Sequence, residues 1–425
     1  MNGDGKMAEI EQEVFLIPTE QKSGSIVYAP LKGVCFWLCE KYAKQFAQIL
    51  EKKENVNSIC DSAELYQRIL LMDNIPSKVP RTRSFCIDNH VVFILSQHCN
   101  FKCSYCYARE AHSNDTINWD IIKKALDVVL KSKQHEIKIT FIGGGEPLIT
   151  FDLIMQTVNY AERKAHALNK HIHFALTTNG SLISPECAHW LKEHNFTISV
   201  SFEILPEIQN KQRPMKNNSP SYDVVHEGIA HLIREGIPIR FRSTITEENV
   251  SRMKQMVQLA IVQYPNVKQL HFEPVSDSAA DLARYYDSYS SNFFEARKVA
   301  IQSGVSLTNS ILSSIHYTRD VFCSGEYCVV PSGEIVSCHR ASAPTDSLYN
   351  YFYVCSLNDD IMGKSLCSGQ IRTKLLPACL TCFARWNCAG ACSYNRQIYS
   401  EQQMQLLCGF TRSIIKKYLE EILSL

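Results

Sequence analysis

Four absences narrow the reading of this 425-residue chain before any motif is considered. Long apolar runs are missing: stretches such as Val91-Val-Phe-Ile-Leu95 fall far short of the roughly 20 residues of a membrane span. An excess of either charge is missing too. Lys and Arg number 44 against 43 Asp and Glu, a formal net charge of +1, which offers nothing to nucleic acid or an anionic membrane surface. The opening Met-Asn-Gly-Asp-Gly-Lys-Met-Ala-Glu-Ile lacks the basic-then-apolar pattern of a secretory signal, so a cytoplasmic protein is expected. Internal repeats and low-complexity tracts are also missing. Hydrophobic residues at 45% and charged residues at 20% are those of an ordinary globular protein, and the length predicts two to three domains.

Cysteine is what the chain has in plenty, with 18 residues. In a reducing compartment clustered cysteines more often bind metal than form disulfides. Cys99, Cys103 and Cys106 share the run Ser96-Gln-His-Cys-Asn-Phe-Lys-Cys-Ser-Tyr-Cys-Tyr107, directly after the strand-like stretch 91–95. Three thiolates on one short loop suit an iron–sulfur cluster, because cysteine sulfur is the soft ligand such clusters take. A four-iron cube held by three cysteines leaves one iron open to a non-protein ligand. A zinc or redox site is the alternative for the same residues.

The pattern along the chain places this loop. Residues 1–12 read as disordered. Strands at 13–17 and 25–29, a helix over 34–50 and another over 63–71 form a small unit, followed by a Pro-bearing link at 76–83. Strands are then predicted at 91–96, 137–142, 171–177, 196–202, 237–245 and 267–274, with helices near 119–132, 151–168, 184–194, 221–235 and 249–263. Six β-α repeats argue for a parallel sheet, and six rather than eight argue for an open, partial barrel. A polar, aromatic helix follows at 280–301, and a last helix is predicted at 410–423. Parallel β/α folds place ligands at the C-terminal ends of strands. The cysteine loop, Gly143-Gly-Gly-Glu-Pro147 and Thr177-Thr-Asn-Gly180 follow the first, second and third of these strands. Alone, either glycine motif reads as a tight turn; their shared rim lifts them.

These motifs resemble those of radical S-adenosylmethionine (SAM) enzymes, over roughly residues 90–425. The resemblance implies an α/β fold with a partial (β/α)6 barrel, and SAM on the open iron of a [4Fe-4S] cluster held by Cys99, Cys103 and Cys106. Cleavage of SAM then yields a 5′-deoxyadenosyl radical that takes a hydrogen atom from substrate. It also implies that Tyr105 lies beside the adenine. Gly143, Gly144, Gly145 and Glu146 would bind the SAM amino group, and Thr178, Asn179 and Ser201 would lie near its ribose and carboxylate. Arg242 is a further cofactor-facing candidate. Where relatives often show Ser-x-Asp-Gly, this chain has Ser201-Phe202-Glu203-Ile204, which leaves Glu203 without a role.

The tail reads Cys323-x4-Cys328-x4-Gly333-x4-Cys338, then Cys379-x2-Cys382-x5-Cys388-x3-Cys392, then Cys408. It resembles the SPASM extension of radical SAM enzymes that modify peptides and proteins. That implies two auxiliary [4Fe-4S] clusters, one on Cys323, Cys338 and Cys392 closed by Cys328, the other on Cys379, Cys382, Cys388 and Cys408. Zinc is the alternative for the tail. Of the remaining cysteines, Cys35 and Cys39 are expected on one helix face as small core residues, and Cys355 and Cys367 as ordinary packing. His339 and Arg340 follow Cys338 where sulfatase-maturing relatives carry an acid, so no base is assigned. Residues 13–75 resemble a winged-helix peptide-recognition element, which adds a leader peptide as a strand to a sheet edge, a structural cap on the barrel being the alternative. The division expected is 1–85 for leader binding, 86–305 for the partial barrel and 306–425 for the SPASM domain. The reading is a peptide maturase forming a thioether or carbon–carbon cross-link. Its partners are a precursor peptide with a leader and an external flavodoxin- or ferredoxin-like one-electron reductant. The rivals are a sulfatase- or quinone-cofactor-maturing enzyme, and a non-catalytic zinc or electron-transfer protein that binds a peptide.

Overall fold

The computed structural model describes residues 13–20, 22–52, 61–78, 89–275, 281–357 and 375–424. The expectation for residues 1–12, most of the link at 76–83, and Cys60, Cys86 and Cys367 lie outside them. The chain divides into two compact units. One comprises 1–83, 310–323 and 372–425; the other comprises 84–309 and 324–371.

The first unit opens with strands β1 (Phe15–Pro18), β2 (Gly24–Ala29) and β3 (Val34–Cys39), an antiparallel sheet in that order. Helices α1 (Glu40–Lys52) and α2 (Asp61–Leu71) follow. Val27, Ala29, Phe46 and Ile69 are buried between them, with Val34, Phe36 and Leu38 packed alongside. Burying a side chain the size of Phe46 contributes about 2 kcal/mol. The helix expected over 34–50 is therefore a strand followed by a helix. Val34-Cys-Phe-Trp-Leu-Cys39 is rich in aromatic and β-branched residues with strand preference. Gly33, at φ 66°, turns the chain back so that Ala29 pairs with Val34 and Gly24 with Cys39. Cys35 and Cys39 consequently share a strand face rather than a helix face, and burial pushes the Cys35 thiol up to about 11.

The second unit contains the expected alternation. Strand β4 (His90–Phe93) leads through α3 (Trp119–Val129) to β5 (Glu136–Phe141), then α4 (Phe151–Ala167), β6 (His171–Thr178), α5 (Pro185–Glu193) and β7 (Thr197–Ser201). Helices α6 (Pro206–Gln212) and α7 (Tyr222–Arg234) precede β8 (Ile239–Ile245), α8 (Met253–Gln263), β9 (Gln269–Pro274) and α9 (Leu282–Gln302). Then come β10 (Ser306–Thr308), β11 (Cys328–Val329), β12 (Glu334–Val336), α10 (Tyr349–Phe352) and β13 (Tyr353–Ser356). The sheet order is β10-β9-β8-β7-β6-β5-β4-β11-β12-β13, parallel from β10 to β11 and antiparallel beyond. Four strands thus extend the expected six.

The two faces of this sheet differ in chemistry. Ile137, Ile139 and Phe141 of β5 and Phe241 and Ile245 of β8 are fully buried on one face. There Phe93 stacks on Phe141 at 6.2 Å, and Phe174 on Phe196 at 5.2 Å. Since strand side chains alternate, the opposite face carries Lys138, Thr140, Ser199, Ser201, Arg240, Arg242, Thr244, His271 and Glu273. A hydrophobic side and a polar side follow from that period of two.

The tail of the first unit holds α11 (Arg385–Cys388), α12 (Ser393–Ile398) and α13 (Glu401–Ile422). The last helix begins nine residues before the expected 410, because Ser400 and Gln403 form a reciprocal capping box. Within this unit Tyr28 Oη donates to Asn387 Oδ1 at 2.8 Å, both residues being buried.

Candidate cluster and cofactor site

The loop after β4 is shaped by its own neighbours. Lys102 N donates to Pro214 O at 2.9 Å, Ser104 N to Gln212 O at 2.8 Å, and Lys216 N to Asn100 O at 2.8 Å. Phe101, buried, bridges to Met215. The segment after α6 thus lies along residues 100–104 like a strand. The thiols of Cys99, Cys103 and Cys106 gather here, close enough that each of the other two disfavours ionisation of Cys99. Burial, the larger effect, pushes Cys99 up to about 12 and Cys103 up to about 11. Three half-buried thiols on one loop are soft donors of the kind a positively charged cluster takes, and such a group would reverse that shift. The residues therefore fit a cluster. Among the described residues no group of three or more His, Cys, Asp or Glu side chains has the spacing to hold a metal ion.

The glycine-rich edge packs directly on this loop. Gly145 N donates to Ser96 O at 2.9 Å and Glu146 N to His98 O at 2.9 Å. A Cβ on Gly145 would stand 1.7 Å from the His98 carbonyl oxygen, so only glycine fits. Glu146 itself is buried and turned inward. It accepts from Thr178 Oγ1 at 2.6 Å, from Asn179 N at 2.7 Å and from Leu148 N at 3.1 Å. Burial raises its carboxyl, and these three donors oppose that shift. Asn179 Nδ2 reaches Asn100 Oδ1 at 2.8 Å, so Glu146, Thr178 and Asn179 knit the ends of β5 and β6 to the cysteine loop. Ser201 and Arg242 are direct partners across β7 and β8 on the polar face.

Tyr105 is held from two sides. Its hydroxyl donates to Glu203 Oε1, and the Arg213 guanidinium lies 5.2 Å over its ring. Glu203, fully buried, also accepts from Arg213 Nε at 2.7 Å and from Thr244 N at 3.0 Å. The residue left without a role in the sequence is thus the anchor of the site. Arg213 went unnoticed in the sequence, and its spacing from Glu203 carries no signal of the pairing. Tyr107 was missed as well. It is 42% exposed and lies edge-on to His339 at 6.0 Å.

The tail thiols are partitioned. Cys379, Cys382, Cys388 and Cys408 gather in the first unit, where Cys388 is acted on by the other three after burial pushes it up to about 12. Cys392 follows three residues of positive φ, Ala389, Gly390 and Ala391. Cys323 and Cys392 belong to the first unit, and Cys328 and Cys338 to the second. Cys328 is fully buried beside Val92 and Val336, and burial together with Glu326 and Cys338 raises its thiol. His339 Nδ1 pairs with Glu326 at 2.8 Å. Cys355 lies on β13 opposite Ile335.

A parallel sheet with thiols and a glycine edge at its strand ends defines a class. Residues 93–260 match the model of the radical SAM superfamily. Among particular proteins, it is 32% identical over 184 residues to an uncharacterised protein of Methanocaldococcus jannaschii, covering 43% of this chain and 62% of that one. It is 22% identical over 268 residues to a cysteine-type anaerobic sulfatase-maturating enzyme of Clostridium novyi, covering 57% and 71%. The chain thus spans less than two thirds of the first of these relatives. Among solved structures, the fold matches native anSMEcpe with bound AdoMet and the Kp18Cys peptide at a TM-score of 0.67 and 16% identity, covering 79% and 99%. It matches Streptococcus suis SuiB bound to precursor peptide SuiA at 0.53 and 14% identity, covering 92% and 97%.

Proposed function

We propose that this chain is a radical SAM peptide maturase that oxidatively modifies a precursor peptide to form a thioether or carbon–carbon cross-link. The observation that carries the reading is the docking of the loop that bears Cys99, Cys103 and Cys106 on the Gly145–Glu146 edge, through Gly145 N to Ser96 O and Glu146 N to His98 O, with Cys379, Cys382, Cys388 and Cys408 all in the first unit. The first three would hold a [4Fe-4S] cluster and the latter four an auxiliary one. Cys323, Cys328, Cys338 and Cys392 would hold another. When bound, cluster and SAM would supply one electron and a 5′-deoxyadenosyl radical that takes a hydrogen atom from the peptide.

This chain's residues would do the positioning. The Gly143 and Gly144 backbone, at φ 77° and 61°, holds left-handed conformations that would keep the edge packed against Ile94 and Ser96 of the loop. Ser201 and Arg242 would face its polar groups, and Tyr107, exposed beside the thiol loop, would wall the chamber. The reductant would be an external flavodoxin- or ferredoxin-like protein, and the compartment the cytoplasm. The first unit's small sheet would take a leader peptide along β3, a reading favoured by the likeness to the peptide-bound SuiB structure.

A sulfatase-maturing activity is the second reading, favoured by the Clostridium novyi relative. Against it stands His339, bonded to Glu326, where that activity is expected to place an acid.

The test is anaerobic reconstitution. Three four-iron clusters give about twelve irons per chain, and reductant plus SAM should release 5′-deoxyadenosine. Replacing Cys99, Cys103 and Cys106 by Ala should abolish that release. Unchanged cleavage in the triple variant, or stoichiometric zinc without sulfide, would refute the reading.

A further inference from the structure

We propose that His112 donates a hydrogen bond from Nε2 to the sulfur of Cys106, positioning that ligand and raising the reduction potential of the cluster proposed on the three-thiol loop. The inference rests on that cluster reading. His112 is half-buried, and its Nε2 lies 3.8 Å from Cys106 Sγ. That length suits sulfur, a larger and softer acceptor than oxygen.

The backbone builds this contact, rather than the reach of one side chain. Tight turns fold the chain back after Cys106: Arg109 N donates to Cys106 O at 3.3 Å, and His112 N to Arg109 O at 3.3 Å. Residues 109–116 are then fastened to the thiol loop at both ends, like a strap. At one end Arg109 Nη2 donates to Cys103 O at 3.0 Å and to Ser104 O. At the other, Asp115 O accepts from Gln97 N at 3.0 Å and from Ser96 Oγ at 3.0 Å, and Thr116 pairs with Ser96. Between these anchors His112 brings a ring nitrogen to a sulfur. A sulfur bound to iron carries no proton and can only accept, so the shared proton belongs on Nε2. Such a donor offsets the negative charge that a cluster gains on reduction, and hydrogen bonds to the sulfurs are one of the protein's levers on cluster potential.

The experiment uses the full chain reconstituted with iron and sulfide, as wild type, His112→Leu and His112→Gln, each grown on histidine whose ring carries heavy nitrogen. The readouts are iron and sulfide per chain, the hyperfine coupling of ring nitrogen to the cluster whose paramagnetic signal changes on adding unlabelled SAM, and the midpoint potential of that cluster. Wild type should show the coupling, and both variants should lose it with iron content unchanged. His112→Leu, which has no donor, should move the potential more negative, and His112→Gln, which keeps an N–H, should stay closer to wild type. A ring that served only as packing would give no coupling to lose. If His112→Leu fails to fold, His112→Gln decides through the coupling; if neither variant holds iron, the wild-type coupling decides by its presence or absence. A wild-type spectrum without the coupling, a coupling that survives either substitution, or a potential unchanged or raised in His112→Leu would overturn the inference. A wild-type chain without a SAM-responsive cluster would instead overturn the cluster reading itself.

Discussion

Gly145 rests against the carbonyl of His98 so tightly that even one added carbon would overlap it, at 1.7 Å from the oxygen and 2.2 Å from the carbon. The obstacle is backbone, which cannot swing aside as a side-chain end does. Gly145→Ala should therefore push the cysteine loop away from the end of β5. We expect a destabilisation of about 1–3 kcal/mol, the usual range for overpacking, together with loss of iron from the Cys99 loop. Thermal melting and iron content measure the two effects, and full iron loading in this variant would contradict the packing argument.

Tyr28 and Asn387 give a second test, remote from the thiol loop in sequence. Tyr28→Phe leaves Asn387 Oδ1 buried without this donor, at a cost of about 1–3 kcal/mol. Denaturant unfolding should show the loss, while loading of the Cys99 loop should be unchanged. The same bond means that the N-terminal strands cannot be cut away cleanly from the tail helices.

His90 should give the protein a sensitivity to acid. Burial, then the neighbouring Lys138, depresses its imidazole from the ordinary 6.5 to about 4, and Nε2 lies 2.9 Å from Thr140 Oγ1. A group depressed on folding contributes stability that is whole above pH 6.5 and is lost as pH falls towards 4. His90→Gln should flatten the stability profile over that window relative to wild type. Parallel profiles from pH 7 to pH 4 would remove His90 as the cause.

Strand addition at β3 is testable on the intact chain. Amide hydrogen exchange over Val34–Cys39 should slow when the precursor peptide is added, because new main-chain bonds protect the edge. Tight peptide binding with no change in exchange there would send the leader elsewhere.

The sequence showed the β/α alternation clearly, because each long parallel strand is followed by a helix of quite different period. It did not show β10, β11 or β12, which have two or three residues each, too few for any alternation to register. Strand β3 was lost for the opposite reason. Its apolar residues run straight into α1, and only its pairing with β2 separates the two. The cysteines and glycines of the candidate site were legible as spacing. Glu203 and Arg213 were not, since a turn after β7 and helix α6 separate them and only the folded loop brings them together. Glu146 stood out in the sequence beside the glycines, but its commitment to Thr178 and Asn179 did not.

The sorting of the large sheet into one greasy and one wettable face has a consequence for which residues can change. Its cohesion resides where Phe93, Phe141, Phe174 and Phe196 stack, on the side away from Arg242, His271 and Glu273. A substitution on the wettable side exchanges contacts with water rather than with oil. It leaves the adhesive layer untouched, so the polar face can be altered without loosening the scaffold.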